Sequence, residues 1–219
     1  MKNNRLIINL SSEEAEIAVL SKNNPMESLN LNASGILKGD IVDNDSFIES
    51  FQDPKFLRII NTYDFEEIIV GVSPSKISTM KQKKIIFESQ EIKAITEEDM
   101  SALQEELSQV NDEMTLIHNY SLGFILDEKD TVSNPLGMHA RKFETYKLKV
   151  FIEPSISRSL KNLSDNIGLN CPLSIVSNTL AKSLVLVDEE NKDFGCYFIN
   201  VGKDVTEISI IHKDKVLYM

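Results

Sequence analysis

The sequence is poor in cysteine and has no long apolar run. Its two cysteines, Cys171 and Cys196, are too few for a disulfide framework, so we expect both thiols to be reduced and to pack as small buried apolar side chains. No apolar stretch reaches the length of about 18 residues that a membrane-spanning helix needs. The apolar run near the N-terminus is short and contains Asn9, which is not typical of a signal peptide. These absences predict a cytoplasmic protein that does not insert directly into a membrane.

Basic residues are outnumbered by acidic ones. Lysine and arginine number 23 against 34 aspartate and glutamate residues, so the net charge is −11 at pH 7. Proteins that bind nucleic acids neutralise the phosphate backbone with lysine and arginine, and we therefore expect no nucleic-acid partner. The acidic charge favours basic protein partners instead. Apolar residues make up 42% of the chain, which is enough for a folded core without metals or disulfides.

Glycine is missing where nucleotide-binding loops require it. No two of the eight glycines are adjacent or separated by a single residue. The loops of the Rossmann fold and of P-loop proteins need closely spaced glycines, because their backbone must approach phosphate groups. The segment that comes nearest to a serine nucleophile elbow, residues 71–75 (GVSPS), does not have its pattern. The common phosphate-binding and serine-nucleophile motifs are therefore absent.

Patterns for metal binding and acid–base chemistry are missing as well. The three histidines, His118, His139 and His212, lie far apart, and none has a second ligand at metal-binding spacing. We interpret each of them as structural. The acidic run at residues 188–190 (DEE) is interpreted as a solvated turn between a helix and a strand. From the residues alone we expect no catalytic site and no metal.

The periodicity of the apolar residues indicates an α/β fold. Strands are predicted at residues 6–10, 16–20, 26–31, 68–72, 85–87, 114–120, 122–126, 143–152, 173–176, 196–201, 205–211 and 216–218. Helices are predicted from about residue 45 to an interruption at Pro54, from Thr96 onward, over residues 154–167 and over residues 179–187. The helix after Thr96 has an acidic first turn and one apolar stripe, which consists of Met100, Leu103, Leu107 and Val110.

Four segments carry a recognisable pattern. They are residues 35–43 (GILKGDIVD), 95–99 (ITEED), 134–138 (NPLGM) followed by Phe143-Glu144, and 198–210 (FINVGKDVTEISI). In this order they resemble the G-I-x-K-G-x-I-V-D, I-T-E-E-D, D-P-x-G-M and D-I-G-G-G-T-T-D-I-A-I segments of the FtsA family. These are bacterial cell-division proteins of the actin/heat-shock-protein ATPase superfamily. The resemblance covers nearly the whole chain.

The resemblance implies an α/β, actin-like (ribonuclease-H-like) first domain that carries the inserted α+β subdomain of FtsA. Residues 1–84 and 151–185 would form the first actin-like subdomain, residues 85–150 the insertion, and residues 186–219 the first strands of a second actin-like domain. On this layout the FtsZ docking region and the C-terminal membrane-binding helix of the family are absent. We expect a natural short form, since a cut inside the second domain would leave sheet edges unpaired.

The family binds ATP and magnesium, but the loops that would hold them differ here. The positions equivalent to the family's nucleotide loops are Asn9, Ser11, Ser12, Glu13, Asn178, Asn200, Gly202, Lys203 and Thr206. Amides supply no charge to a cation and cannot act as a base, and a carboxylate repels phosphate. Lys203 is the one basic group among them. We therefore expect no cofactor and no enzymatic activity.

The resemblance also implies that this protein works through partners in the cell-division machinery. Over residues 85–150 there are 13 acidic and 6 basic residues, and the family's insertion contacts the basic cytoplasmic tail of FtsN and neighbouring FtsA molecules. The candidate contact residues are Glu97, Glu98, Asp99, Glu105 and Glu106. We expect an adaptor recruited to the division site at the inner face of the cytoplasmic membrane, and a homodimer stays open.

Two other functions stay open at this point. One is an actin-like protein that still binds a nucleotide weakly. The other is a pilus-assembly adaptor built on the same fold. The segments at residues 95–99 and 134–138 favour cell division.

Overall fold

The computed structural model describes residues 4–102, 114–129 and 131–219. The strands are β1 (Asn4–Leu10), β2 (Glu14–Ser21), β3 (Asn24–Asn32), β4 (Ile36–Leu37), β5 (Asp40–Ile41), β6 (Phe65–Val72), β7 (Ile77–Ala94), β8 (Thr115–Leu126), β9 (Thr131–Val132), β10 (His139–Ile152), β11 (Leu173–Ser177), β12 (Cys196–Val201), β13 (Thr206–His212) and β14 (Lys215–Tyr218). The helices are α1 (Asn44–Ser50), α2 (Pro54–Thr62), α3 (Glu97–Ser101), α4 (Pro154–Asn166), α5 (Asn178–Leu186) and α6 (Glu189–Phe194).

The first sheet has the strand order β11-β6-β1-β2-β3. Strand β1 is antiparallel to β2 and parallel to β6, and β11 is parallel to β6. Alternate residues of β1, such as Leu6 and Ile8, point into a core that is covered by α1, α2 and α4. The three predicted N-terminal strands and the strand at residues 68–72 are confirmed, each with a few residues added at its ends.

Caps and a proline fix the first two helices. The Asp43 carboxylate accepts hydrogen bonds from the backbone N–H groups of Asp45 and Ser46, so α1 begins where the sequence predicts it. Pro54 does not lie inside α1 but starts α2, with Asp53 as its cap.

The second sheet has the order β7-β10-β8-β9 and is antiparallel throughout. The strand predicted at residues 85–87 is longer than expected. The 18-residue strand β7 also includes the basic segment before residue 85, and it pairs along β10. The two strands predicted at 114–120 and 122–126 are one strand, β8, with a register shift at Gly123. Gly123 has a φ of 148°, a conformation that suits glycine at a bulge.

Helix α3 begins at the predicted place. Thr96 and Asp99 form a capping box in which each side chain accepts from the other residue's backbone N–H. The structure gives the helix the range Glu97–Ser101. Three members of the predicted stripe, Leu103, Leu107 and Val110, lie outside the described residues.

The third sheet has the order β12-β13-β14 and follows α5 and α6. The acidic run at 188–190 is not a turn, because Asp188 caps the short helix α6 through the N–H of Asn191. Hydrogen bonds attach the sheet to the second sheet. Tyr120 donates its hydroxyl to the carbonyl of Val216 at 3.3 Å, and Lys215 Nζ donates to the carbonyl of Leu122 at 2.8 Å.

The cysteines are half-buried in different places. Cys171 packs against the core of the first sheet, and Cys196 packs against a small core that includes Ile211 and Val216. In the part of the chain that the structure describes, no helix is both long and apolar enough to cross a membrane.

Candidate functional site

A cleft of about 450 Å³ lies between the turn after β1 and the turn after β12. It brings together eight of the nine predicted loop positions, namely Asn9, Ser11, Ser12, Glu13, Asn178, Asn200, Gly202 and Lys203. Thr206, at the start of β13, is not among the lining residues. The lining also includes Glu14, Gly39, Ser73, Lys182 and Glu207, which were not predicted as site residues. The loops identified from the sequence therefore do face one another.

An ion pair crosses the mouth of this cleft. Lys203 Nζ lies 2.6 Å from Glu13 Oε2, and both side chains are exposed. The hydrogen bond to Glu13 is the main cause of a raised pKa of the Lys203 ammonium. The pair joins the loop after β1 to the loop after β12, and so it connects the first sheet with the third.

The amides that replace acids are used for internal contacts. Asn9 Nδ2 donates to Glu16 Oε2 at 2.7 Å, and Asn178 Nδ2 donates to the backbone carbonyl of Leu10 at 3.2 Å. Gly71 makes room for both amides, because a Cβ at this position would lie 2.1 Å from Asn178 Oδ1 and 3.3 Å from Asn9 Oδ1. These contacts hold α5 against β1 and β6.

A second polar cluster forms the opposite wall. Glu207 is only 8% exposed, and its Oε2 accepts hydrogen bonds from the hydroxyl of Thr179 and from Asn200 Nδ2, the latter at 3.2 Å. Lys182 Nζ lies 3.5 Å from Asn200 Oδ1. Glu207 shares the buried face of β13 with Ser209 and Ile211, while Ile208 is exposed, so the apolar pattern of this strand does not reveal its burial.

These residues do not suit a nucleotide with its magnesium ion. The charged groups that line the cleft are three carboxylates (Glu13, Glu14 and Glu207) and two ammonium groups (Lys182 and Lys203). Lys203 is already paired with Glu13, and the carboxylates would repel phosphate groups. Among the described residues, no group of three or more His, Cys, Asp or Glu side chains is placed to hold a metal ion.

His118 connects the second sheet to the cleft. Its Nε2 accepts a hydrogen bond at 3.0 Å from the backbone N–H of Ser177, the residue that caps α5. Burial lowers the pKa of this imidazole from its ordinary value to about 4. His118 is therefore a neutral acceptor that fixes the start of α5, as expected of a structural histidine.

The candidate partner-binding residues lie on α3. Asp99 Oδ2 accepts from the backbone N–H and the hydroxyl of Thr96 at 2.8 and 2.9 Å, so this carboxylate is used in the capping box. Glu97 and Glu98 are exposed. The other two candidates, Glu105 and Glu106, lie outside the described residues.

Comparison with known proteins shows which domain the segment with the second sheet resembles. Residues 75–149 match the family model described as the SHS2 domain inserted in FtsA. The cell division protein FtsA of Borreliella burgdorferi is 22% identical over 198 residues, which are 88% of this chain and 48% of that protein. FtsA of Enterococcus hirae is 23% identical over 196 residues, or 86% of this chain and 43% of that protein.

This is an FtsA-like chain. It spans about half the length of the curated relatives that it matches. The predicted domain limits at residues 84, 150 and 185 stay predictions.

Solved structures show that the FtsA-like chain has the actin-like fold. The PilM-PilN type IV pilus biogenesis complex matches with a TM-score of 0.59 and 12% identity, over 97% of this chain and 59% of that one. A Bacteroides thetaiotaomicron protein with an actin-like ATPase fold matches with a TM-score of 0.50 and 13% identity, over 99% of this chain and 68% of that one. Identities this low establish the fold alone.

The range that matches the family model is less acidic than the range predicted for the insertion. Over residues 75–149, 10 lysine and arginine residues face 13 acidic residues, whereas the range 85–150 leaves out four lysines that precede residue 85. Lys83, on β7, lies 3.0 Å from the buried carboxylate of Glu144. The SHS2 domain of this FtsA-like chain is therefore only weakly acidic as a whole.

Proposed function

We propose that this chain is a cell-division adaptor that works by protein–protein contact through its SHS2 domain, without binding or hydrolysing ATP. The observation that supports this most directly is the Glu13–Lys203 ion pair across the cleft. A carboxylate and an ammonium of the protein itself stand where the family's loops would meet phosphate. A nucleotide would have to displace this pair and then lie beside carboxylates of its own sign of charge.

The amide substitutions support the same proposal. Asn9, Asn178 and Asn200 replace acids of the family's pattern, and all three make hydrogen bonds to neighbouring protein groups. An amide holds no negative charge for magnesium and takes no proton from water. The alternative of weak nucleotide binding requires these contacts to rearrange.

Thermal unfolding with and without millimolar magnesium-ATP tests the loss of nucleotide binding. A ligand that binds only the folded state raises the melting temperature, by an amount equivalent to about 2.7 kcal/mol at a hundred times its Kd. We expect no shift for this chain, and an Enterococcus hirae FtsA sample serves as the comparison. A clear rise in Tm would overturn this part of the proposal.

We further propose that the SHS2 domain recruits the chain to the division site by contacting a basic cytoplasmic tail, such as that of FtsN. Glu97 and Glu98 support this, since both are exposed at the start of α3. Charged residues at the edge of an interface mainly increase the association rate and make binding sensitive to salt.

A charge reversal tests the contact with a basic tail. The double variant Glu97→Lys, Glu98→Lys should bind a Lys/Arg-rich peptide more weakly than the parent at low salt, measured by fluorescence anisotropy. Glu190→Lys, on α6, is the matched control, because Glu190 is equally exposed but lies outside the SHS2 domain. Equal affinity of the parent and the double variant would rule out an electrostatic contact at α3.

A pilus-assembly adaptor is the second candidate. The similarity to the PilM-PilN complex supports it at the level of the fold, since both have an actin-like arrangement. The cell-division function is favoured because the sequence relatives and the family model are both named for FtsA.

A further inference from the structure

The two loops of the cleft use hydrogen-bond donors of their own for internal contacts. Ser11 donates its backbone N–H and its hydroxyl to the carbonyl of Glu14, at 2.9 and 3.0 Å. The backbone N–H of Gly202 donates to the carbonyl of Val205 at 2.9 Å. Backbone N–H groups in loops are donors that a bound anion uses. Here Ser11 and Gly202 give theirs to the protein itself.

The three amides of the cleft are oriented so that their nitrogens donate to the protein. Each nitrogen faces a carboxylate or carbonyl oxygen, which can only accept: Asn9 faces Glu16, Asn178 faces the carbonyl of Leu10, and Asn200 faces Glu207. Each amide therefore keeps its oxygen for a further contact. Asn9 Oδ1 is buried without a hydrogen-bond partner.

Glu207 supplies another acceptor without a partner. Its side chain lines the cleft and is only 8% exposed. The Oε2 atom accepts from Thr179 and Asn200, whereas the buried Oε1 has no hydrogen-bond partner. A buried carboxylate oxygen that lacks a donor costs free energy, so a ligand that donates to Oε1 would be stabilised at this place.

The charges of the cleft favour a cation. Lys203 is paired with Glu13 at 2.6 Å. The other charged groups of the lining are Glu14, Glu207 and Lys182, and within the described residues none of them has an ion-pair partner. Two carboxylates against one ammonium leave negative charge in excess, in a chain whose net charge is −11.

We propose that the cleft binds a guanidinium group, with the Glu207 carboxylate as its ion-pair partner and the amide oxygens as further acceptors. A guanidinium carries five N–H donors and no acceptor, so it matches a cleft that offers oxygen atoms. Its hydrogen bonds to a carboxylate are charge-assisted and strong. The volume of about 450 Å³ also leaves room for the chain that carries the guanidinium.

This site is separate from the contact proposed for the SHS2 domain. All of the lining residues lie outside residues 75–149. A guanidinium in the cleft would therefore be a second contact of the same chain, and a basic tail at α3 would not occupy it.

Two ligands of the same shape test the proposal. Nα-acetyl-arginine amide carries a guanidinium, and Nα-acetyl-citrulline amide carries a neutral urea in its place. Ligand-observed NMR titrations with the 219-residue chain at low salt measure both Kd values. We expect a Kd of about 1 mM or below for the arginine compound and at least about tenfold weaker binding of the citrulline compound, which forms no ion pair.

A third ligand distinguishes the two sources of a guanidinium. Butylguanidine has the same charged group without the backbone amides. If the arginine compound binds more tightly than butylguanidine, the natural ligand is an arginine of a protein partner. If butylguanidine binds at least as tightly, it is a small molecule. Both results support a guanidinium site.

Three variants localise the binding. Glu207→Gln keeps an oxygen for the Thr179 hydroxyl but removes the charge, so the arginine compound should bind at least about tenfold more weakly. Lys182→Gln removes an ammonium that repels the ligand, so binding should become about two- to threefold tighter at low salt. Glu190→Gln is the matched control, because Glu190 is exposed on α6 and does not line the cleft. Thermal unfolding verifies that each variant is folded.

The proposal is overturned if the arginine compound does not bind at about 10 mM, if the citrulline compound binds equally well, or if Glu207→Gln and Lys182→Gln both bind as the parent does. Glu97→Lys, Glu98→Lys should keep the affinity of the parent, because α3 does not line the cleft. A loss of binding in that variant would place the ligand on the SHS2 domain and also contradict the proposal. The magnesium-ATP experiment uses a different ligand, so the two proposals fail separately.

Discussion

At the scale of single residues, an ion pair of the protein's own side chains crosses the cleft. Glu13 and Lys203 are far apart in sequence, yet their charged atoms lie 2.6 Å apart across the cleft. From the sequence, Lys203 is the one basic group among the predicted loop positions, and the structure shows that it meets a carboxylate. Such a pair can be found only when the two loops are placed in space, because nothing in the local sequence of either loop indicates the other.

His118 makes the stability of the fold depend on pH. Its folded-state pKa of about 4 lies below the ordinary value of 6.5, so the unfolded chain binds the proton more readily. Stability is therefore fully present above pH 6.5 and decreases as the pH falls towards 4. We expect a loss of about 2 kcal/mol between pH 7 and pH 5 from this group.

Denaturant unfolding at the two pH values measures this loss. His118→Gln keeps an acceptor for the Ser177 N–H but cannot titrate, so its stability should change less between the two pH values. His212→Gln is the control, because His212 is exposed. If His118→Gln shows the same pH dependence as the parent, the histidine is not the titrating group.

Other residue predictions depended on the family pattern. The nine loop positions from Asn9 to Thr206 were found because four segments resemble FtsA, and all of them except Thr206 line the cleft. Glu207 was not among the predicted site residues. Its burial could not be predicted from β13, where the apolar Ile208 is exposed and the polar Glu207 and Ser209 are buried.

At the scale of elements, local signals determined where the helices begin. Asp43 and Thr96 mark helix starts in both the sequence and the structure, whereas Pro54, predicted to interrupt the first helix, starts α2. The long strand β7 was only partly predicted, because the sequence indicates a strand only at residues 85–87. Its first half is a strand because it pairs with β10, and this partner lies more than 50 residues away along the chain.

Gly71 determines how closely α5 approaches β6. An added methyl group would meet the Asn178 amide oxygen at 2.1 Å, so we expect Gly71→Ala to destabilise the fold by about 1–3 kcal/mol. In combination with Asn178→Ala the cost should be less than the sum of the two single changes, because the clash is then absent. Both effects are measured by urea unfolding.

Gly137→Ala is the control for this change. A methyl group at Gly137 meets no atom within 4 Å, but its φ of 77° costs an alanine about 1 kcal/mol. Gly71 does not have a positive φ, so its cost reports crowding alone. If the two alanine variants are equally stable and combine additively with Asn178→Ala, α5 is not held by this close contact.

At the scale of the whole molecule, the first and third sheets meet at the cleft, and the second sheet is hydrogen-bonded to the third. The actin-like arrangement was predicted because strand, helix and family patterns agree, and the structural comparisons confirm it. The contacts between the sheets could not be predicted, because they join residues such as Tyr120 and Val216 whose sequence neighbourhoods give no sign of one another.

The Glu13–Lys203 pair gives the whole molecule a dependence on salt. Lys203→Glu should lower Tm by about 1–3 °C in low salt, because two carboxylates then face each other across the cleft. The decrease should become smaller at about 1 M NaCl, where exposed charges are screened.

The exchanged double variant Glu13→Lys, Lys203→Glu is the control and should recover the Tm of the parent. It restores opposite charges and has the same composition as the parent. A double variant that is no more stable than Lys203→Glu would show that the two side chains are not paired in solution.

Strand β8 also has a mechanical consequence. Within five consecutive residues it contacts the start of α5 through His118, and the strand β14 through Tyr120 and the carbonyl of Leu122. Helix α5 and the third sheet, on either side of the cleft, are thus both hydrogen-bonded to one strand of the insertion. A displacement of β8 would therefore strain contacts on both sides of the cleft at once.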